Sequence, residues 1–138
     1  MKINLITENK IQFMSLLKLA DETRFIANYL EHGEMWTFEN RIVAIVHNNE
    51  LLNFAVAEPE QGKGLGGQFL STLKEKYPCL MVRTDEFTAE FYEKCGFKAY
   101  KRIKNYFPDK YGRPVFDKEH ELKDNIYLKV CEYSGREN

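Results

Sequence analysis

Apolar residues recur along this chain in two rhythms, and each change of rhythm marks the end of an element. Ile3 and Leu5 alternate with polar neighbours, as in a first strand. Between Glu8 and Ala20, Ile11, Met14 and Leu17 fall on one side of a helix that Thr7 is placed to cap. Asp21 reads as the cap of a second helix, in which Phe25, Ile26, Tyr29 and Leu30 share a face, and Gly33 is expected to end it in the left-handed conformation. Three short strands follow, Glu34 to Phe38, Arg41 to His47 and Leu51 to Val56. They are joined by Glu39-Asn40 and by Asn48-Asn49-Glu50, connections of the hairpin kind. Ile42 to Val46 is apolar throughout, which predicts a strand covered on both faces.

Beyond a glycine-rich loop, Phe69, Leu70 and Leu73 predict a helix that Pro78 stops. The strand Leu80-Met81-Val82 is then expected parallel to Leu51 to Val56, through a right-handed crossover. Asp85 is placed to cap a helix that stacks Phe87 on Phe91 at i, i+4, and Gly96 to end it before a strand from Phe97 to Ile103. Asn105 to Asp124, with Pro108, Gly112 and Pro114 among its aromatics, reads as a long irregular loop of the binding or lid type. Ile126, Leu128 and Val130 alternate as a last strand, and Ser134 to Asn138 reads as a fraying polar tail.

Size and charge narrow what such a chain does. Its 138 residues fit one domain, residues 1–138, with one active site, and a formal net charge of −1 signals neither nucleic acid nor an anionic membrane as partner. Cys79, Cys95 and Cys131 are odd in number and far apart, so neither a disulfide framework nor a zinc site is signalled, and reduced thiols of a cytoplasmic protein are expected. His32, His47 and His120 lack metal-ligand spacing, so no metal is expected. No signal peptide or membrane span is apparent.

The chemistry lies between Leu51 and Phe97. After the strand Leu51 to Val56 comes Gln61-Gly62-Lys63-Gly64-Leu65-Gly66-Gly67, whose close glycines open a helix, so that backbone N–H groups can converge on a phosphate. Further on stand Phe91, Tyr92, Gly96 and Phe97. In this order and separation the two motifs resemble those of the GNAT superfamily of N-acetyltransferases, whose Gln/Arg-x-x-Gly-x-Gly/Ala pattern reads here as Gln61 to Gly66. The predicted element order, β-α-α-β-β-β-α-β-α-β-β, also resembles that fold. The resemblance implies an α/β (α+β) class with a central, mixed, mostly antiparallel sheet of about seven strands and about four flanking helices.

It implies acetyl-CoA as co-substrate and direct attack by a primary amine of a small molecule, amino acid or peptide. Main-chain groups of Phe54, Ala55 and Val56 would hold the pantetheine arm, and an N–H near Val56 would polarise the thioester. Gln61, Gly62, Lys63, Gly64, Leu65 and Gly66 would surround the pyrophosphate. Tyr92 matches the family's general acid, and Glu50 the base glutamate of its histone-acetylating branch, with Glu58 nearer the loop. Where many members have Asn and Ala, this chain has Asp85 and Thr88, so Asp85 is either an altered coenzyme contact or a helix cap. Trp36, Tyr106, Tyr111 and Phe116 would line an acceptor pocket or serve as core and lid packing. Cys95 reads as an apolar filler.

Two other readings use the same residues. Gly62 to Gly67 also satisfies Gly-x-Gly-x-x-Gly with Asp85 downstream, but Ala57 to Gln61 separates it from the strand, where a dinucleotide-binding turn would follow at once. A catalytically silent acyl-CoA-binding regulatory module would keep the fold without the reaction. Oligomeric state is not legible, and a homodimer stays open.

Overall fold

The run Ile42–His47 is the strand on which the N-terminal half is assembled. In the computed structural model, which describes residues 1–131, the chain divides into two compact units, Met1–Tyr77 and Pro78 onward. In the first, β1 (Asn4–Ile6), β2 (Glu34–Phe38), β3 (Ile42–His47) and β4 (Glu50–Val56) form an antiparallel meander in that spatial order. Ile42 to Val46 are all fully buried, as the unbroken apolar run requires. The β3–β4 connection places both Asn48 (φ 51°) and Asn49 (φ 64°) in the left-handed region, the pairing of a type I′ turn whose twist suits a two-stranded ribbon.

The helices ahead of β2 are shorter than the sequence suggests. A 3-10 turn at Lys10–Phe13 runs into α1 (Met14–Leu17), and Asn9, itself left-handed, precedes it in place of a Thr7 cap. The inward face is Phe13 and Leu17, while Ile11 and Leu5 point to solvent, contrary to the simple periodicity. The second helix, α2 (Thr23–Ile26), has Glu22 at its N-cap, and Asp21 braces that turn: Glu22 N–H donates to Asp21 Oδ1 at 2.8 Å and the Tyr29 hydroxyl to Oδ2 at 3.0 Å. Phe13, Leu17, Ile26, Tyr29 and Leu30 pack with Met35, Val43, Ile45 and Ala55 into one core. Gly33 does not have a positive φ. It is required for closeness instead, since a Cβ there would lie 2.4 Å from Ile45 Cγ2 and 2.9 Å from the Tyr29 carbonyl oxygen. The buried Lys10 ammonium donates to the carbonyls of Glu31 (2.8 Å) and Gly33 (2.7 Å), which satisfies an otherwise costly interior charge. The unit closes with α3 (Leu65–Lys76), whose Phe69, Leu70 and Leu73 are buried as expected.

The second unit contains β5 (Met81–Asp85), α4 (Ala89–Lys94), β6 (Lys98–Ile103), α5 (Tyr106–Tyr111), β7 (Val115–Asp117), β8 (His120–Leu122) and β9 (Asn125–Lys129). Here β9 lies between β5 and β6, antiparallel to both, and β7 pairs with β8 as a separate ribbon. Gly96, at φ 96°, ends α4 as predicted, with its N–H on the Glu93 carbonyl and that of Phe97 on Tyr92's. The segment 105–124, expected to be an irregular loop, instead holds α5 and the β7–β8 ribbon. Its ends are clasped: Asp124 accepts from the Asn105 N–H (3.1 Å) and from Arg102, and Phe107 N–H donates to the Lys123 carbonyl. The described residues thus hold five α-helices and nine strands, more than the pattern predicted. Ser134 to Asn138 lie outside the described residues.

Candidate active site

Alternation along β4 sorts its side chains. Asn53 and Ala55 are buried, with half-buried Leu52 packed against the same core as Ala55, while Phe54 and Val56 are half-buried, the Phe54 ring lying 5.9 Å from that of Phe69 on α3. The β3–β4 register is irregular where Ile45 pairs with Asn53 but Val46 with Leu51, so Leu52 is an extra residue that bends the strand. Pairing ends where the Ala57 N–H donates to the Arg41 carbonyl at 2.8 Å. A 3-10 turn at Glu58–Glu60, with Pro59 as its second residue, then leads into the glycine loop.

The loop is built for its backbone. Gly62 (φ 79°) and Gly64 (φ 80°) are both left-handed, and a Cβ at either would meet nothing within 4 Å. Glycine is therefore needed for chain direction, and the space above the loop is open to a ligand. Gly64 is the N-cap of α3, and its carbonyl accepts first from the Gln68 N–H at 3.3 Å. The amides of Leu65, Gly66 and Gly67 in the opening turn have no acceptor within the helix, so they and the positive dipole end face outward. Gln61 donates from Nε2 to the Val56 carbonyl at 2.8 Å, tying the loop to the end of β4. Lys63, itself exposed, lies 3.6 Å from the half-buried Glu60, a pairing of the weak surface kind. An extended half-buried strand leading into an open cradle of amides suits a ligand with a long arm and a pyrophosphate.

In the second unit, Tyr92 is buried on α4, its ring edge-on to Phe91 and Phe97 at 5.3 Å from each. Burial above all, with Cys95 and Asp85 nearby, raises its pKa well above the ordinary tyrosine value. Its proton stays on through the neutral range, as a proton donor requires. Asp85 fixes the turn before that helix: Oδ1 accepts from the amides of Phe87 (2.8 Å) and Thr88 (2.7 Å), and Oδ2 from the Thr88 hydroxyl (2.8 Å). Thr88, not Asp85, is the N-cap. Phe87 and Phe91, expected to stack on one another, are substantially exposed, and Phe87 lies instead on His120 at 4.2 Å.

Glu50 begins β4 opposite His47, in the hairpin, and Glu58 is exposed in the 3-10 turn. Trp36 takes part in a cluster that sequence reading missed. Its indole N–H donates to the Tyr77 hydroxyl at 2.8 Å, that hydroxyl donates to Glu34, and Lys76 lies 4.6 Å over the indole ring. Tyr106 and Tyr111 are on α5, packed about Phe107, and Phe116 is exposed on β7. A second omission is Asn53. Its Nδ2 donates to the Leu17 carbonyl and the Tyr29 hydroxyl, each at 3.1 Å, and its buried Oδ1 has no partner among the described residues. The signal was a polar residue at an inward position of an otherwise apolar strand. His47 packs edge-on against His32 at 5.0 Å, and no group of three His, Cys, Asp or Glu among the described residues is placed to hold a metal ion.

The sequence model of the acetyltransferase (GNAT) domain matches residues 20–99, more than half of the chain. The chain belongs to the GNAT acetyltransferase family. Acetyl transfer is thus its class of activity. The GNAT chain is 29% identical to the uncharacterised N-acetyltransferase YvbK of Bacillus subtilis strain 168, over 93% of this chain and 94% of that protein. Among solved structures it is similar to a Bacillus subtilis acetyltransferase in complex with CoA, at TM-score 0.83 and 26% identity, covering 96% of this chain and 99% of that one. It is also similar to a GNAT acetyltransferase of Elizabethkingia anophelis with acetyl-CoA bound, at TM-score 0.82 and 28% identity over 94% and 96% of the two chains. These likenesses bear out the expected GNAT fold.

Proposed function

We propose that this protein transfers the acetyl group of acetyl-CoA to a primary amine, by direct attack in a ternary complex. The observation that carries the reading is the pair of left-handed glycines, Gly62 and Gly64, set in open space at the start of a twelve-residue helix. That CoA and acetyl-CoA occupy two of the similar structures supports it.

Acetyl-CoA supplies an activated thioester, and the chain supplies position and protons. Main-chain groups of Phe54, Ala55 and Val56 hold the extended arm, and an N–H near Val56 withdraws electron density from the thioester oxygen. Amides of residues 62–66 hold the pyrophosphate, with Lys63 adding charge once it leaves Glu60. Gln61 acts on the coenzyme through the shape it gives the loop, and Asp85 through the turn it fixes. Tyr92 returns a proton to the departing sulfur. Since a thiolate of pKa about 8.5 leaves readily, that help is modest. Glu50 lies four residues before Phe54, about 13 Å along a strand, so it draws the ammonium proton through water. The acceptor class is a small amine, an amino acid or a peptide N-terminus, and the site of action the cytoplasm. No helix among the described residues is long and apolar enough to cross a membrane.

Thiol release from acetyl-CoA is measured with a panel of amines, beside calorimetric titration with CoA and NAD. Amine-dependent thiol release supports the reading. Tight CoA binding without turnover for any amine would replace it with a silent coenzyme-binding module, and heat with NAD alone would end it.

A further inference from the structure

Cys79 and Cys131 lie far apart in sequence, and the fold brings them together. In the β5–β9 ladder Met81 faces Lys129 and Val82 faces Leu128, and the Val130 N–H donates to the Leu80 carbonyl at 3.0 Å. The ladder thus continues one step past Met81 as a hydrogen-bonded Leu80–Val130 pair. Extended by one more residue on each side, this register would set Cys79 opposite Cys131 at a non-hydrogen-bonded position, where antiparallel Cα atoms approach to about 4.5 Å and side chains are closest. A disulfide spans Cα separations of roughly 4.4–6.8 Å, so this position accepts one without moving the backbone. Leu80 and Val82, on the alternate face, are buried, whereas Cys79 is exposed and Cys131 half-exposed, so an oxidant reaches the thiols from solvent. The two thiols already interact: a hydrogen bond to Cys131 is the main cause that holds Cys79 above its usual pKa, while Lys129 pulls the other way.

We propose that Cys79 and Cys131 form a reversible dithiol–disulfide site, oxidised by low-molecular-weight disulfides. The thiolate of one cysteine attacks one sulfur of the oxidant, forming a mixed disulfide and expelling one thiolate. The thiolate of the other then attacks the protein sulfur of that mixed disulfide and expels the second. Two protein thiols become one disulfide and the oxidant becomes two thiols, so the protons lost by the protein are taken up by the products. The bond staples the start of β5 to the end of β9 and encloses nearly the whole second unit in one covalent loop. The oxidised form is therefore harder to unfold.

The test exposes the reduced full-length chain to oxidised glutathione at mildly alkaline pH. Intact mass, thiol count and non-reducing peptide mapping are then recorded. Expected are the loss of two of the three thiols, a mass lower by two hydrogens, a Cys79–Cys131 linked peptide, and recovery of all thiols with dithiothreitol. Cys131→Ser should stop at a persistent glutathione adduct on Cys79, and Cys95→Ser should behave as the wild type. A stable adduct on the wild-type chain, a bond through Cys95, a bond between two chains, or three unreacted thiols would each overturn the proposal. None of these outcomes depends on acetyl transfer.

Discussion

Two glycines in this chain have opposite reasons to be glycine, and substitution separates them. Gly64→Ala meets no atom, so its penalty is the left-handed backbone alone, on the order of 1–2 kcal/mol, and it strikes where the coenzyme's phosphates are proposed to bind. The expected result is a raised KM for acetyl-CoA, from steady-state kinetics, with kcat largely kept. Gly33→Ala instead drives a methyl into Ile45 and the Tyr29 carbonyl, an overpacking cost of roughly 1–3 kcal/mol that chemical denaturation will show as a lower midpoint. Sequence alone separates them poorly. A glycine after a helix reads as a left-handed stop whether it serves chain direction or close approach, and only the neighbour Ile45, brought in by the meander, decides. The Gly62 and Gly64 pattern was legible because its partners are adjacent in sequence. Tyr92→Phe keeps the ring against Phe91 and Phe97 and removes the hydroxyl, and kcat should fall about 10²-fold, the low end for general acid catalysis. An unchanged kcat would remove Tyr92 from the reaction.

At the scale of elements, Tyr77 joins the end of α3 to β2 through Trp36 and Glu34, and burial, reinforced by the Glu34 carboxylate, pushes its pKa up to about 12 from 10.0. The native state therefore holds the phenol proton more tightly than the unfolded chain. Stability from this group is complete below pH 10 and is lost as pH rises through about 12. Denaturation midpoints followed from pH 9 to 12 should decline more steeply in the wild type than in Tyr77→Phe, and equal slopes would count against the linkage. Elements were legible where apolar spacing was long and uninterrupted: β2, β3, β4 and α3 follow their patterns closely. They were illegible where length failed. Six residues from Tyr106 to Tyr111 give too little period to detect, and Pro108, which reads as a breaker, falls in the first turn, where its missing N–H costs nothing. The helix expected from Glu8 to Ala20 failed at Asn9, whose left-handed conformation starts the segment as a 3-10 turn.

Taken as a whole molecule, the candidate site was read from two motifs between Leu51 and Phe97. The partners of Asn53 and of Trp36 came only with the tertiary contacts, because each joins residues far apart in sequence. A ligand that binds only the folded chain stabilises all of it, so saturating CoA, at about a hundred times its dissociation constant, should add about 2.7 kcal/mol. Calorimetric melting with and without CoA measures this, and a Gly64→Ala chain should show a smaller rise at the same concentration. Strand β6 is last in its strand order, with Lys98, Lys101 and Arg102 exposed along it and Tyr100 as an extra residue in its ladder. Such a border repels its own copies and bends away from them, which is how a natural sheet avoids recruiting strangers into fibrils. Replacing Lys98 and Lys101 together with isoleucine should turn a quiet margin into an adhesive one, visible as rising light scattering at concentrations where the parent chain stays clear.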